Sequence, residues 1–202
     1  MKSSFVGLLA MILVGAGLLA VWGCAGSGPA RFFLLSSQPG MGAEPFEAEE
    51  NKNPSLGILP IRFPQYLDRP QIVTRTNRNE IRLAEFDRWA EPLKVNFTRV
   101  LGENLSRLLR SDGVVLFPAP RSVEVRTLLS LEVLQFDGAL GGESRLIARW
   151  VVYGGDGKTV VTTGRSEVVE RADAPTFDAL VAAQSRAVAA LSRDIAQSLA
   201  GM

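Results

Sequence analysis

Hydrophobic positions along this chain change period several times, and each change marks an element. Over residues 91–110, Leu93, Phe97, Val100, Leu101, Leu105 and Leu108 recur at three- and four-residue steps, the spacing of one helix face. Pro92 suits a first helical turn, Arg107 and Arg110 suit the cation-favouring far end, and Ser111-Asp112-Gly113 supplies a stop. A second helix is predicted over 177–199, with Phe177, Leu180, Val181, Val188, Leu191, Ile195 and Leu199 apolar. Between the two the period falls to two residues. Over 123–136, Val125, Thr127, Leu129, Leu131 and Val133 alternate with Glu124, Arg126, Ser130 and Glu132, a strand pattern. Segments 144–153 and 159–170 follow as a hairpin around Gly154-Gly155-Asp156-Gly157-Lys158.

Upstream of the first helix the apolar runs are shorter. Residues 31–35 (RFFLL) and 56–63 read as strands, the second interrupted by Pro60 and followed by Pro64, which predicts an edge strand or a bulge. Segments 72–76 and 80–84 flank the turn-forming Asn77-Arg78-Asn79 as a hairpin, and 114–117 adds a short strand. The pattern predicts a single α+β domain: a largely antiparallel sheet with two amphipathic helices packed on one face. Residues 36–55 depart from this, with three prolines, two glycines and Glu44, Glu47, Glu49 and Glu50 against Lys52, the composition of a flexible insert. No repeat interrupts the single-domain reading.

The first residues follow a different logic. Lys2, the apolar run from Phe5 to Val21 and the small residues after it form the tripartite pattern of a secretory signal. The run is at the short limit for spanning a bilayer, so a retained anchor is the competing reading. The only cysteine decides between them. Cys24 has no partner for an internal disulfide and stands where the signal would be cut. Val21-Trp22-Gly23-Cys24 resembles a bacterial lipobox, which makes 1–23 a lipoprotein signal peptide, 24–202 the mature domain and Cys24 the site of lipid attachment. Several palmitate-type acyl chains on one cysteine hold a protein stably, where one chain is marginal. Gly15-Ala16-Gly17-Leu18-Leu19-Ala20 imitates a dinucleotide-binding loop but lies inside the signal core with no strand before it.

Composition then removes most catalytic chemistry. With no histidine and one cysteine, Ser-His-Asp and Cys-His catalysis and Cys/His metal sites are excluded. The formal charge of +1 gives no electrostatic case for nucleic acid. Gly157-Lys158-Thr159 resembles the end of a phosphate loop, but Val152 occupies the position of the earlier glycine and a strand follows. The triplets Asn96-Phe97-Thr98 and Asn104-Leu105-Ser106 fall within a helix and are not glycosylation sites. Glu132 and Asp137, five positions apart on one strand, are expected on opposite faces, and Phe136-Asp137-Gly138 is expected to end the strand. Neither a catalytic residue, a metal nor a cofactor is predicted.

What remains is interaction chemistry. Six arginines lie between 62 and 88, at 62, 69, 75, 78, 82 and 88, interleaved with Asp68, Glu80, Glu85 and Asp87. They form either a basic patch for anionic headgroups or an acidic partner, or ordinary solvated strand faces. Arg69, Arg75 and Arg88 are the candidates for such contacts. Phe32 and Phe33 join them: either one packs inward while the other approaches membrane or another subunit, or both are buried.

Arg31-Phe32-Phe33-Leu34-Leu35, Tyr66-Leu67-Asp68-Arg69-Pro70-Gln71-Ile72-Val73, Arg88-Trp89-Ala90-Glu91-Pro92-Leu93 and Glu132 to Gly138 occur in an order and spacing that resembles the ABC-type transport auxiliary lipoproteins of the PqiC or YmbA type. The resemblance covers nearly the whole mature chain, with Phe32-Phe33 where the family usually has a tyrosine pair. It implies an outer-membrane lipoprotein facing the periplasm. Its implied partners are a mammalian-cell-entry (MCE) domain protein and an ABC permease and ATPase, which together move phospholipid or other hydrophobic molecules between membranes. It carries over no catalytic residue. Self-association into a homo-oligomer would widen such a dock. The alternative is a lipoprotein that assembles or braces the envelope without contacting transported lipid.

Overall fold

The computed structural model describes residues 28–38, 56–120 and 123–201; the signal segment, Cys24 and most of the 36–55 insert lie outside them. The compact unit begins at Arg31. Its strands are β1 (Arg31–Phe33), β2 (Leu56–Ile58), β3 (Gln71–Arg75), β4 (Ile81–Trp89), β5 (Val114–Leu116), β6 (Thr127–Gly138), β7 (Glu143–Gly154) and β8 (Val160–Arg171). The helices are α1 (Leu93–Leu108) and α2 (Phe177–Ala200), and Gln65–Leu67 forms a 3-10 turn.

β6 organises a single open sheet of eight strands. One edge of β6 pairs antiparallel with β7 along its whole length, and β7 pairs antiparallel with β8. The other edge is shared. β2 lies parallel to Thr127–Leu129, Arg62 bridges Glu132, and Thr74 of β3 meets Gly138. β5 extends the sheet beyond β2, while β4 and then β1 extend it beyond β3. The sheet is therefore mixed: its long registers are antiparallel, and four short pairings are parallel. Residues 56–58 do not form an edge strand, because β2 is flanked by β5 and β6; the strand stops before Pro60, so no ladder donor is lost.

One face of the sheet carries the core. Leu129, Leu131, Val133 and Phe136 of β6 and Leu146, Ala148, Trp150 and Val152 of β7 point to it and are buried. Phe97 of α1 stacks edge-on against Phe136 at 5.3 Å and against Phe63 at 5.1 Å. α2 packs beside α1 and over β7 and β8, so both helices cover the same face. Gly164 of β8 lies opposite Trp150, where a Cβ would collide with the indole ring, and the indole N–H donates to Ser166 Oγ at 3.3 Å.

Local chemistry sets the ends of the elements. Thr176 Oγ1 accepts from Ala179 N and opens α2. α1 ends earlier than the glycine at 113 suggested: Arg110 takes a left-handed φ of 49°, and Ser111 N donates to Ser106 O. In the β7–β8 turn, Asp156 accepts from the Thr159 hydroxyl and from the backbone N–H groups of Lys158 and Thr159. Those bonds hold its carboxyl down at about 2.

Candidate functional site

β1 is fastened to the domain by side chains distant in sequence. Arg31 donates to Asp87 at 2.7 Å from the neighbouring strand. Asn96 of α1 closes a two-bond clamp on Leu35, accepting from its N–H at 2.6 Å and donating to its carbonyl at 3.3 Å. Ser36 N reaches Ser185 Oγ of α2 at 3.2 Å. The buried asparagine of the first apparent glycosylation triplet is thus a structural tie. With β1 fixed, alternation separates the two phenylalanines: Phe33 is buried and lies 6.3 Å from Phe177, whereas Phe32 is 65% exposed. Leu34, beyond the strand, is also exposed.

The register places Phe32 beside Arg88 of β4, and Arg88 beside Gln71 of β3. Arg69 lies two residues before Gln71, and Trp89 N donates to the carbonyl of the intervening Pro70 at 2.7 Å. The fold thereby brings Arg69, Arg88 and Phe32 to one end of the sheet. The Nε atoms of Arg69 and Arg88 are both buried and both lack a hydrogen-bond partner. A buried donor without an acceptor is costly, and supplying an acceptor from a bound group removes that cost.

Arg75 is placed differently. Asp137, fully buried, accepts from Arg75 Nε at 2.7 Å and Arg75 Nη2 at 2.8 Å, from Tyr66 Oη at 2.7 Å and from Gln135 Nε2 at 2.9 Å. Arg75 Nη1 donates to Arg78 O, so each of its three nitrogens has an acceptor. Burial alone would raise the Asp137 carboxyl, but the bonds from Arg75, Gln135 and Tyr66 outweigh it and hold the group below its ordinary value. Burial, and then the bond to Asp137, pushes the Tyr66 hydroxyl well above the usual range. An ionised carboxylate with four donors is an anchor, not a base.

β6 ends at Gly138, as expected of Phe136-Asp137-Gly138, and Asp137 in addition ties β3 and the 3-10 turn to the strand. It also shares a face with Glu132, contrary to the strand parity read from the sequence. The ladder shifts between Val133 and Gln135, so one extra residue exchanges inward and outward positions beyond it. The two carboxylates still do not form an acid/base pair, because Glu132 is paired with Arg62 at 3.5 Å. Of the six arginines between 62 and 88, Arg62, Arg75 and Arg82 have carboxylate partners, whereas Arg69, Arg78 and Arg88 have none among the described residues.

A cleft of about 560 Å³ opens beside the Asp137 anchor, lined in part by Arg75, Asn77, Arg78, Glu143 and Arg145. Arg145 is neutralised there by Glu143 and Glu167. Among the described residues no group of three or more His, Cys, Asp or Glu could hold a metal, and no helix is long and apolar enough to cross a membrane.

The sequence model described as the ABC-type transport auxiliary lipoprotein component matches residues 33–196, and the chain belongs to that family. Among curated proteins none matches. A solved structure described as an uncharacterized protein is similar with a TM-score of 0.69 and 19% identity, covering 85% of this chain and 99% of the other. Protein XCC0632 from Xanthomonas campestris is similar with a TM-score of 0.63 and 13% identity, covering 86% of this chain and 94% of its own. These two share the fold. Family membership implies a membrane-anchored place in the cell envelope and association with an ABC transport system, and it points to a non-enzymatic role.

Proposed function

We propose that the protein is an outer-membrane-anchored periplasmic lipoprotein that serves an MCE/ABC-type system moving phospholipid or similar hydrophobic molecules between membranes. Acyl chains on Cys24 hold it in the inner leaflet. From Cys24 to Phe32 the chain is eight residues, which span at most about 28 Å when extended. The strand that the anchor leads into is thus confined close to the headgroups. The observation that carries the reading is on that strand and its neighbour: an exposed Phe32 beside Arg88, which with Arg69 holds a buried, unpartnered Nε donor. An aromatic ring at an interface and two arginines seeking acceptors suit an MCE-domain partner with acidic groups at its tip. Phe33 supports this surface from the core, and Arg75, at the other end of β3, ties that strand to β6 through Asp137.

Affinity capture of the full-length protein from gently solubilised envelopes, with mass spectrometry of captured proteins, lipids and the N-terminal peptide, tests this reading. An acylated Cys24 with an MCE-domain protein is expected. An acylated Cys24 with only cell-wall or secretion partners would move the protein to the bracing role.

A further inference from the structure

The sheet ends at β1 and β5 on one side and at β8 on the other, and these edges differ in length. β1 and β5 have three residues each; β8 has twelve, among the described residues no strand pairs with its outer edge, and only at its far end does a side chain reach it, where Arg186 Nη2 donates to the Arg171 carbonyl at 2.6 Å. Edge strands that must stay free are usually short or carry proline, lysine or strong bulges. β8 contains no proline and no lysine, its charges, Arg165, Glu167, Glu170 and Arg171, are of both signs, its one register shift lies at its start, opposite Val152 and Tyr153, and Val169 is exposed. Residues 162–170 therefore present a regular ladder to which no strand is paired.

The charges along that ladder select a partner. Arg165 faces Arg149 of β7 directly, a like-charge pair, and Arg149 has no ion pair among the described residues. Among the described residues Arg165 pairs with one acid, Glu167 of its own strand, at 3.4 Å, which Arg145 already holds at 2.7 Å. We infer that two copies of this chain pair antiparallel through β8 about a two-fold axis at Ser166. In that register Arg165 of each copy lies opposite Glu167 of the other, and Thr163 lies opposite Val169. Opposite charges and β-branched neighbours are the favourable cross-strand pairs. The adjacent registers that keep side chains on their faces set Arg165 against Arg165 or Glu167 against Glu167, so charge excludes both. The acid from the second copy offsets the Arg149–Arg165 repulsion, and the two sheets become continuous. Because β1 is the opposite edge, the surface around Phe32 stays open in the pair.

Sedimentation velocity of the full-length protein in detergent, across a range of concentrations, tests the pairing with three variants. The wild type is expected to dimerise. R165E and E167R each bring like charges together twice across the axis and weaken association by about tenfold or more. The double variant R165E/E167R restores opposite charges and recovers association to near the wild-type level. R165E leaves Glu167 bonded to Arg145, so its effect is read without disturbing that bridge. A wild type that stays monomeric, single variants that associate as the wild type does, or a double variant as weak as the singles would each overturn the inference.

Discussion

Arg75 and Arg88 come from the same basic stretch, thirteen positions apart, and meet opposite ends. Each nitrogen of the Arg75 guanidinium finds an acceptor inside the domain, chiefly the two oxygens of Asp137. Arg88, like Arg69, keeps a buried Nε with no acceptor. The same side chain is therefore a structural tie in one place and an unfilled donor in the other. The difference comes from whether the fold delivers a carboxylate, not from the residue or its local sequence.

The largest way to break this contrast is to remove the carboxylate. Asp137→Ala leaves Arg75 and the Tyr66 hydroxyl without their acceptor and should cost about 3 kcal/mol of stability, read as a lower urea midpoint. Arg75→Met should cost slightly less, about 2 kcal/mol, but change the pH dependence. In the wild type the Asp137 carboxyl is held below its unfolded value. Its contribution is therefore complete above about pH 4, the unfolded value, and is lost as pH falls through the lower folded one. Without Arg75, burial is expected to raise the folded value above the unfolded one. The variant should then gain stability relative to the wild type as pH falls from 7 to 4, and denaturation curves at both ends of that window would show the change of slope.

A smaller effect is expected at the clamp on β1. Asn96→Ala removes both bonds to Leu35 and should cost about 1 to 2 kcal/mol, with hydrogen exchange at Leu35 accelerating more than exchange in β6. The smallest stability change is expected at the unfilled donors. Arg69→Glu with Arg88→Glu should shift stability by less than about 1 kcal/mol, because neither arginine has a carboxylate partner to lose. Its effect should appear in partner capture instead.

The contrast also explains what the sequence could disclose. Both helices are legible because each repeats one period over ten or more residues, and α2 begins at Phe177 as predicted; the β6–β7–β8 meander is legible from the alternation before Val133 and from the glycine-rich turn at 154–158. Lipid attachment at Cys24 rests on the contiguous sequence pattern alone, because that residue lies outside the described ones. Asp137 was not recognised as an anchor because its donors Arg75 and Tyr66 are 62 and 71 positions away. The shift near Gln135 has no composition signal, so the parity of Glu132 and Asp137 was read wrongly from spacing alone. The central place of β2 was hidden for a related reason: parallel pairing of three-residue strands depends on distant segments, and the proline that suggested an edge lies just past the strand. The ring that faces outward was open between Phe32 and Phe33 until the register of β1 on β4 resolved it.

The central claim is that the surface around Phe32, Arg69 and Arg88 is where the transport partner docks. Parallel affinity capture of the wild type and the Arg69→Glu/Arg88→Glu variant, with mass spectrometry of the Cys24 peptide and of captured proteins, tests it most directly. The account predicts acylated Cys24 in both and an MCE-domain partner with the wild type alone. Equal recovery of that partner by both proteins would contradict it.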